Sequence, residues 1–427
     1  MTKKKILFIH QNFPAQFKHI AKFLSEDKKY DVHSLSVENL KPSLDNSKIL
    51  KALTKIKHHK YKIKNSSSKN IHSLAMEFET KMIRAEAAAE ECFNLKNNGF
   101  SPDLVISHPG WGEIYFIKDI WPEAKLLSYF EFYYSSKGSD VGFDTNEPYT
   151  PELDNNLYFR LRARNAPGMM SYLDSDILMS PTNFQKSTAP KILQNKIKVI
   201  HDGIETNVIK PQTNSFLKFT HMGKEIKLTK KDKIITFVSR NLELYRGYHI
   251  FMRSLPLIQK NHPDAYILII GGDGVSYGAS ANNGRSYKDI YYDEVKGDLS
   301  NHQNLIFLGN LDYNLFLTAI DISNVHIYLT YPFVLSWSML EAMSLEKLVI
   351  GSKTKPVEEI IKDKHNGLLF DFFDFKKLAE LTSDVLSNPS KYEKIRKNAR
   401  KTIIEKYDLR KNILPKQLNL IEGLLEW

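Results

Sequence analysis

The chain has 427 residues, 42% hydrophobic and 26% charged, a globular composition that excludes wholesale disorder and is too long for one ordinary domain. Its 60 Lys and Arg outnumber 49 Asp and Glu, and the net charge of +11 favours acidic partners such as nucleotide phosphates, anionic lipid surfaces or nucleic acid. A single cysteine, Cys92, excludes an intramolecular disulfide and any multi-cysteine zinc or iron–sulfur site, and it suits a reducing compartment.

No apolar run reaches the roughly 18 residues that span a bilayer. The apolar stretch 6–9 behind Lys3-Lys4-Lys5 is too short for a signal peptide. A cytoplasmic protein is expected, with a peripheral contact at the inner face of the cell membrane as an added reading of its charge.

In chain order, Lys5 to His10 is a short apolar run with a polar exit, which predicts a buried parallel strand. Phe17, Ile20, Ala21 and Leu24 then share one helical face. The Lys-, His- and Ser-rich stretch 51–70 reads as a loop whose charge fits an anionic membrane contact. Glu77 to Asn97 is rich in helix formers, with Gly99 where a helix stops. Strands are predicted next over Pro102–His108 and Ala124–Phe130.

The Gly-, Asp- and Pro-rich stretch 135–154 follows a strand's C-terminal end, where open α/β sheets bind ligands. It reads as solvated surface or as part of an acceptor cleft. In the second half, Lys233–Val238, Ala265–Ile270, Leu305–Leu308, Val325–Leu329 and Leu348–Ile350 are candidate strands. Tyr248–Lys260 and Ser338–Met343 are helices between them. Short apolar strands alternating with amphipathic helices predict an α/β fold with parallel sheets, doubly wound twice. The expected domains are residues 1–210, 211–405 and a C-terminal helical segment, 406–427, that returns to the first domain. The connection 208–230 is polar and Lys-rich.

Three segments carry chemistry. In Leu329 to Met343 a strand runs into a tight loop and a helix begins near Ser336, Trp337 and Ser338. Serines there cap the helix, and its free N–H groups form a prepared anion site. Glu341 offers a carboxylate to a hydroxyl pair such as a ribose diol. In Val238 to Gly247, Arg240 follows a strand and Arg246 opens the next helix. Two guanidiniums at one corner suit a diphosphate, because each forks two donors onto adjacent oxygens. Surface arginines paired with Glu243 would look the same. Gly272 sits in a glycine turn at a strand end, where backbone approaches a ligand closely.

With these residues in view, the chain resembles a family 4 glycosyltransferase of the GT-B fold. The resemblance rests on I-H-Q-N-F-P-A-Q-F at Ile9–Phe17, H-P-G-W-G-E at His108–Glu113, Y-F-E-F-Y-Y at Tyr129–Tyr134 and T-Y-P-F-V-L-S-W-S-M-L-E-A-M at Thr330–Met343. It implies two Rossmann-like domains facing across a cleft, with the nucleotide-sugar donor in the second and the acceptor mainly in the first. It also implies transfer with retention of configuration and no metal ion or other cofactor.

Residue by residue, the resemblance implies that Arg240 and Arg246 neutralise the diphosphate. Glu341 then holds the ribose, Gly272 borders the base, the amides of Ser336, Trp337 and Ser338 meet the phosphates, and His108 lies beside the transferred sugar. The family's first paired Glu would stand eight residues before Glu341, where this chain has Phe333. The glycine-rich loop after the first strand is replaced by Gln11-Asn12-Phe13-Pro14-Ala15-Gln16. There Gln11, Asn12 and Gln16 are candidates for the acceptor or sugar side, with Glu131.

Asp174-Ser175-Asp176 spells a metal-binding D-x-D but reads as structural, as does most of His201-Asp202-Gly203. Glu113 reads as an acid at a helix N-terminus. The expected reaction moves a sugar from a nucleotide diphosphate to a glycan or lipid-linked acceptor, in cell-surface polysaccharide or lipopolysaccharide synthesis. Alternatives are a GT-B epimerase, which needs acids placed at the sugar, and a non-catalytic GT-B scaffold. No basic stripe interleaved with aromatics supports nucleic-acid binding.

Overall fold

A computed structural model describes residues 2–38, 49–150, 152–281 and 284–426. The chain forms two compact units, Met1–Ser136 with Leu153–Asp202 and Arg410–Trp427, and Lys137–Glu152 with Gly203–Leu409.

The first unit holds β1 (Lys4–Ile9), β2 (Tyr30–Val37), β3 (Lys57–Tyr61), β4 (Leu104–Ser107), β5 (Lys125–Tyr129), β6 (Ile177–Ser180) and β7 (Ile197–Val199). They form one sheet in the order β3-β2-β1-β4-β5-β6-β7, every pair parallel. Helices cover both faces of such a sheet, so its central strands are apolar throughout. Ile6, Leu7, Phe8 and Ile9 are all fully buried. The helix Lys18–Glu26 contributes Ile20, Ala21 and Leu24. The helix Met76–Asn97 buries Ala85, Ala88, Cys92 and Leu95, and burial pushes the Cys92 thiol up, away from reactivity.

The second unit holds a hairpin, β8 (Phe216–His221) and β9 (Lys224–Thr229), and a sheet of β10 (Ile234–Asn241), β11 (Tyr266–Gly272), β12 (Leu305–Gly309), β13 (Val325–Tyr328), β14 (Leu348–Ser352) and β15 (Leu368–Phe370). Its order is β12-β11-β10-β13-β14-β15, again all parallel. Both sheets therefore follow the doubly wound order in which the first strand lies between the second and the fourth. The order reverses between β1 and β4 and between β10 and β13, and ligands bind at the C-terminal ends of such strands.

Four expectations change. The stretch 51–70 is not all loop: β3 pairs along β2, with Ser34 bonded to His58 at 2.7 Å and His33 to His59 at 2.8 Å. Its polar side chains suit an edge strand, which apolar periodicity does not reveal. The connection 208–230 contains the β8–β9 hairpin, whose Leu217 and Leu228 are buried. The units divide at 202/203 and 409/410 rather than at 210/211 and 405/406. The stretch 137–152 belongs to the second unit, because its acids find their partners there.

Candidate active site

In the second unit, β10 ends at Asn241 and leads through a short turn, Leu244–Arg246, into the helix Tyr248–Asn261. Gly247 joins them with φ +66°, and a Cβ there would come within 2.5 Å of the Leu329 side chain, so only glycine fits. This close approach brings Arg246 under the loop that follows β13. One of its guanidinium nitrogens donates to Thr330 Oγ1 and to the Val334 carbonyl, both at 2.9 Å. The group is buried, and the Tyr277 ring lies 5.1 Å from the guanidinium carbon.

The same loop ends in a capped helix, Trp337–Ser344. Ser336 Oγ accepts the Ser338 N–H at 3.3 Å, and the Ser336 N–H donates to Tyr328 Oη at 2.7 Å. Ser338 is buried and Trp337 half-buried. Glu341 is also buried, with Oε1 accepting from Tyr313 Oη at 2.5 Å. Phe333 packs edge-on against Tyr245, with ring centres 5.3 Å apart, and lies 5.0 Å from the Tyr277 ring.

The two arginines do not form a symmetric fork. Arg246 is buried and holds a loop, while Arg240 is exposed at the end of β10. Glu243 makes a contact ion pair with neither, although its charge supports the Arg246 guanidinium through space. It is buried and accepts the backbone N–H groups of Ser276, Tyr277 and Gly278 at 3.1–3.3 Å. Gly272 lies against the protein's own side chains, since a Cβ there would come within 2.6 Å of Asn241 Oδ1 and move that amide. No sequence signal marks Glu243, because its partners are main-chain groups more than 30 residues away.

In the first unit, His10 follows β1 and His108 follows β4. Their rings meet edge to face at 5.5 Å, and Trp111 contacts both, at 4.8 and 4.7 Å. His108 Nδ1 accepts the Gly110 N–H at 3.1 Å, which leaves Nε2 facing the Glu131 carboxylate at 3.6 Å. His108 is buried and Glu131 half-exposed. Burial, then the neighbouring His108 ring, hold His10 well below the usual histidine range, against a hydrogen bond with the Gln16 side chain. Gln16 is thus engaged by His10. The Asn12 N–H donates to His10 Nδ1 at 2.9 Å, and Gln11 is half-buried. His10 was legible only as a strand's polar exit, although its pairing beside His108 follows from β1 and β4 being neighbours.

Glu113 does not open a helix. It is buried in a turn, with Oε1 accepting from Tyr61 Oη at 3.0 Å, and burial raises its carboxyl. Asp176 Oδ2 accepts from Lys118 at 3.1 Å and from the Leu126 N–H at 2.8 Å. Asp202 accepts the Tyr129 hydroxyl at 3.1 Å. Among the described residues no group of three His, Cys, Asp or Glu side chains is placed to hold a metal ion. No described helix is long and apolar enough to cross a membrane.

Residues 40–209 match the model of the glycosyl transferase family 4 group, and residues 221–402 that of glycosyl transferases group 1. The fold resembles sucrose-phosphate synthase from Thermosynechococcus elongatus, with a TM-score of 0.72 at 14% identity over 99% of this chain and 100% of that one. Both halves of the chain thus match glycosyl transferase models. The fold also resembles Anabaena HepE solved in complex with UDP and glucose, with a TM-score of 0.65 at 14% identity, covering 98% of this chain and 100% of that one. Spore coat protein SA of Bacillus subtilis is 28% identical over 213 residues, 49% of this chain; the match spans about half, 54%, of that relative's length.

Proposed function

We propose that this chain is a glycosyltransferase that moves a sugar, with retention of configuration, from a nucleotide diphosphate donor to a glycan or lipid-linked glycan. The observation that carries the donor side is the convergence at the β10/β13 reversal. A buried guanidinium, a capped helix N-terminus and a buried carboxylate on that helix meet in one unit. A helix N-terminus favours an anion through its dipole, and the HepE structure of the same fold holds UDP and glucose.

In this reading the diphosphate lies against the start of the helix at Ser336, Trp337 and Ser338, its oxygens exchanging with the Tyr328 hydroxyl and the Ser336 Oγ that otherwise accept the Ser336 and Ser338 N–H groups. Arg240 contributes the solvent-facing guanidinium, and Arg246 contributes charge while fixing the loop. Glu341 takes the ribose, and Gly272 borders the base. These donors stabilise the charge that develops on the leaving diphosphate. The acceptor hydroxyl forms the new bond to the anomeric carbon as the carbon–phosphate oxygen bond breaks on the same face, and the departing phosphate takes the hydroxyl proton. His108 and Glu131, with Gln11, Asn12 and Gln16, form the sugar and acceptor side of the first unit. The donor chemistry needs no metal ion or other cofactor. Synthesis of a surface polysaccharide or lipopolysaccharide fits the acceptor class, and the basic balance fits a peripheral contact with anionic membrane.

Incubation with a panel of UDP-, GDP-, ADP- and CDP-sugars tests the reading. Release of the free nucleotide diphosphate, or product formation with an acceptor, is expected for one donor class. Absence of turnover and of nucleotide binding across the panel would overturn it.

A further inference from the structure

We infer that Asp144 is a positioning residue for the donor loop, acting through Tyr331. The inference rests on the donor-site reading above and assigns a task to the segment Lys137–Glu152. That segment leaves the first unit after Ser136, lies in the second unit, and rejoins the first at Leu153. Three of its acids hold it there. Asp140 accepts from Tyr245 Oη at 2.8 Å. Asp144 Oδ2 faces His249 Nε2 at 3.0 Å. Glu147 pairs with Arg253 and accepts from Tyr291 Oη at 2.8 Å. His249 and Arg253 are four apart on one helix and so share a face, and Tyr245 lies in the turn that precedes it.

Asp144 is the one of these three acids that also reaches the loop after β13. The oxygen that faces His249 accepts the Tyr331 hydroxyl at 2.8 Å. Asp144 and His249 side chains are 1% and 0% exposed, and Tyr331 is 2% exposed. A hydroxyl this deep loses its water and needs a protein acceptor. Tyr331 is tied through its main chain as well, its N–H donating to the Tyr245 carbonyl at 2.9 Å. Two residues on, Phe333 packs on Tyr245 and Tyr277. Three on, the Val334 carbonyl meets Arg246. Five on, Ser336 caps the helix. A shift at Tyr331 therefore reaches the start of the helix Trp337–Ser344 within one short loop. A buried carboxylate oxygen that faces a ring nitrogen and accepts a hydroxyl fixes the position of both partners.

The test uses full-length protein carrying Tyr331→Phe, Asp144→Asn, both together, or Glu147→Gln. Tyr331→Phe deletes one hydroxyl and keeps the ring, so the fold is retained. Each protein is titrated calorimetrically with UDP, GDP, ADP and CDP, and its melting temperature is recorded. For the nucleotide that binds the wild type, Tyr331→Phe and Asp144→Asn should each weaken binding about threefold to tenfold, the worth of one buried hydrogen bond. The double variant should be no worse than the weaker single one. Glu147→Gln should lower the melting temperature and leave affinity unchanged. Wild-type affinity in Tyr331→Phe would overturn this inference alone, as would an affinity loss in Glu147→Gln equal to that in Asp144→Asn. Failure of the wild type to bind any of the four nucleotides would overturn the donor site itself, and this inference with it.

Discussion

Arg246 donates to the carbonyl oxygen of Val334 at 2.9 Å, from a buried position just ahead of the helix Tyr248–Asn261. The guanidinium thus belongs to the architecture of the loop whose far end caps the helix Trp337–Ser344. Its charge and its structural contacts are inseparable, whereas Arg240 stands exposed at the strand's end.

That asymmetry separates the two arginines experimentally. Arg246→Ala should lower turnover at saturating donor by about 100-fold or more, the usual cost of a donor aimed at developing charge. It should also lower the melting temperature, because Thr330 and Val334 lose a buried donor. Arg246→Lys should keep part of the activity, since a point charge survives without the fork. Arg240→Ala should reduce turnover with the melting temperature unchanged. Lys57→Ala, on the edge strand β3, should leave turnover untouched. Near-normal turnover in both alanine variants would show that the donor site lies elsewhere.

Glu341→Ala should raise the dissociation constant of the nucleotide severalfold, a charge-assisted hydrogen bond being worth roughly 1.5–3 kcal/mol. Tyr313→Phe, which removes the hydroxyl 2.5 Å from Glu341 Oε1, should have a smaller effect. Calorimetry decides the matter: unchanged affinity in a folded Glu341→Ala protein would remove Glu341 from the ribose.

Turnover should persist in excess chelator. Asp176 is engaged by Lys118 and the Leu126 N–H, so the D-x-D is built into the first unit's framework. Activity lost in chelator and restored by magnesium or manganese would reverse this and bring Asp174 and Asp176 back as ligands.

The Asp144 carboxyl predicts a pH dependence of stability. Burial pushes it up, but its contacts with His249 and Tyr331 outweigh that, and the net shift is downward from 3.8. A carboxyl lower in the folded than in the unfolded chain stabilises above the unfolded value and loses that contribution as pH falls through the folded one. The gap in unfolding stability between wild type and Asp144→Asn should hold from pH 7 to about 5 and shrink below pH 4. Denaturant titrations giving a gap that is constant or wider at low pH would contradict it.

The sequence by itself determined the twin α/β architecture, because fully buried parallel strands demand continuous apolar runs such as Ile6–Ile9 and Ile267–Ile270. It also determined the capped helix at Ser336, since capping is a local relation between neighbours. Polar β3 and the β8–β9 hairpin escaped, because edge and half-exposed strands carry no apolar run. Only the tertiary structure decided that Glu243 serves the amides of 276–278, that His10 meets His108, and that Arg246 is spent on a loop. It alone decided that Asp140, Asp144 and Glu147 belong to the second unit. Each of those contacts joins residues far apart in the chain, so its energy exists only once the sheets have set their partners side by side.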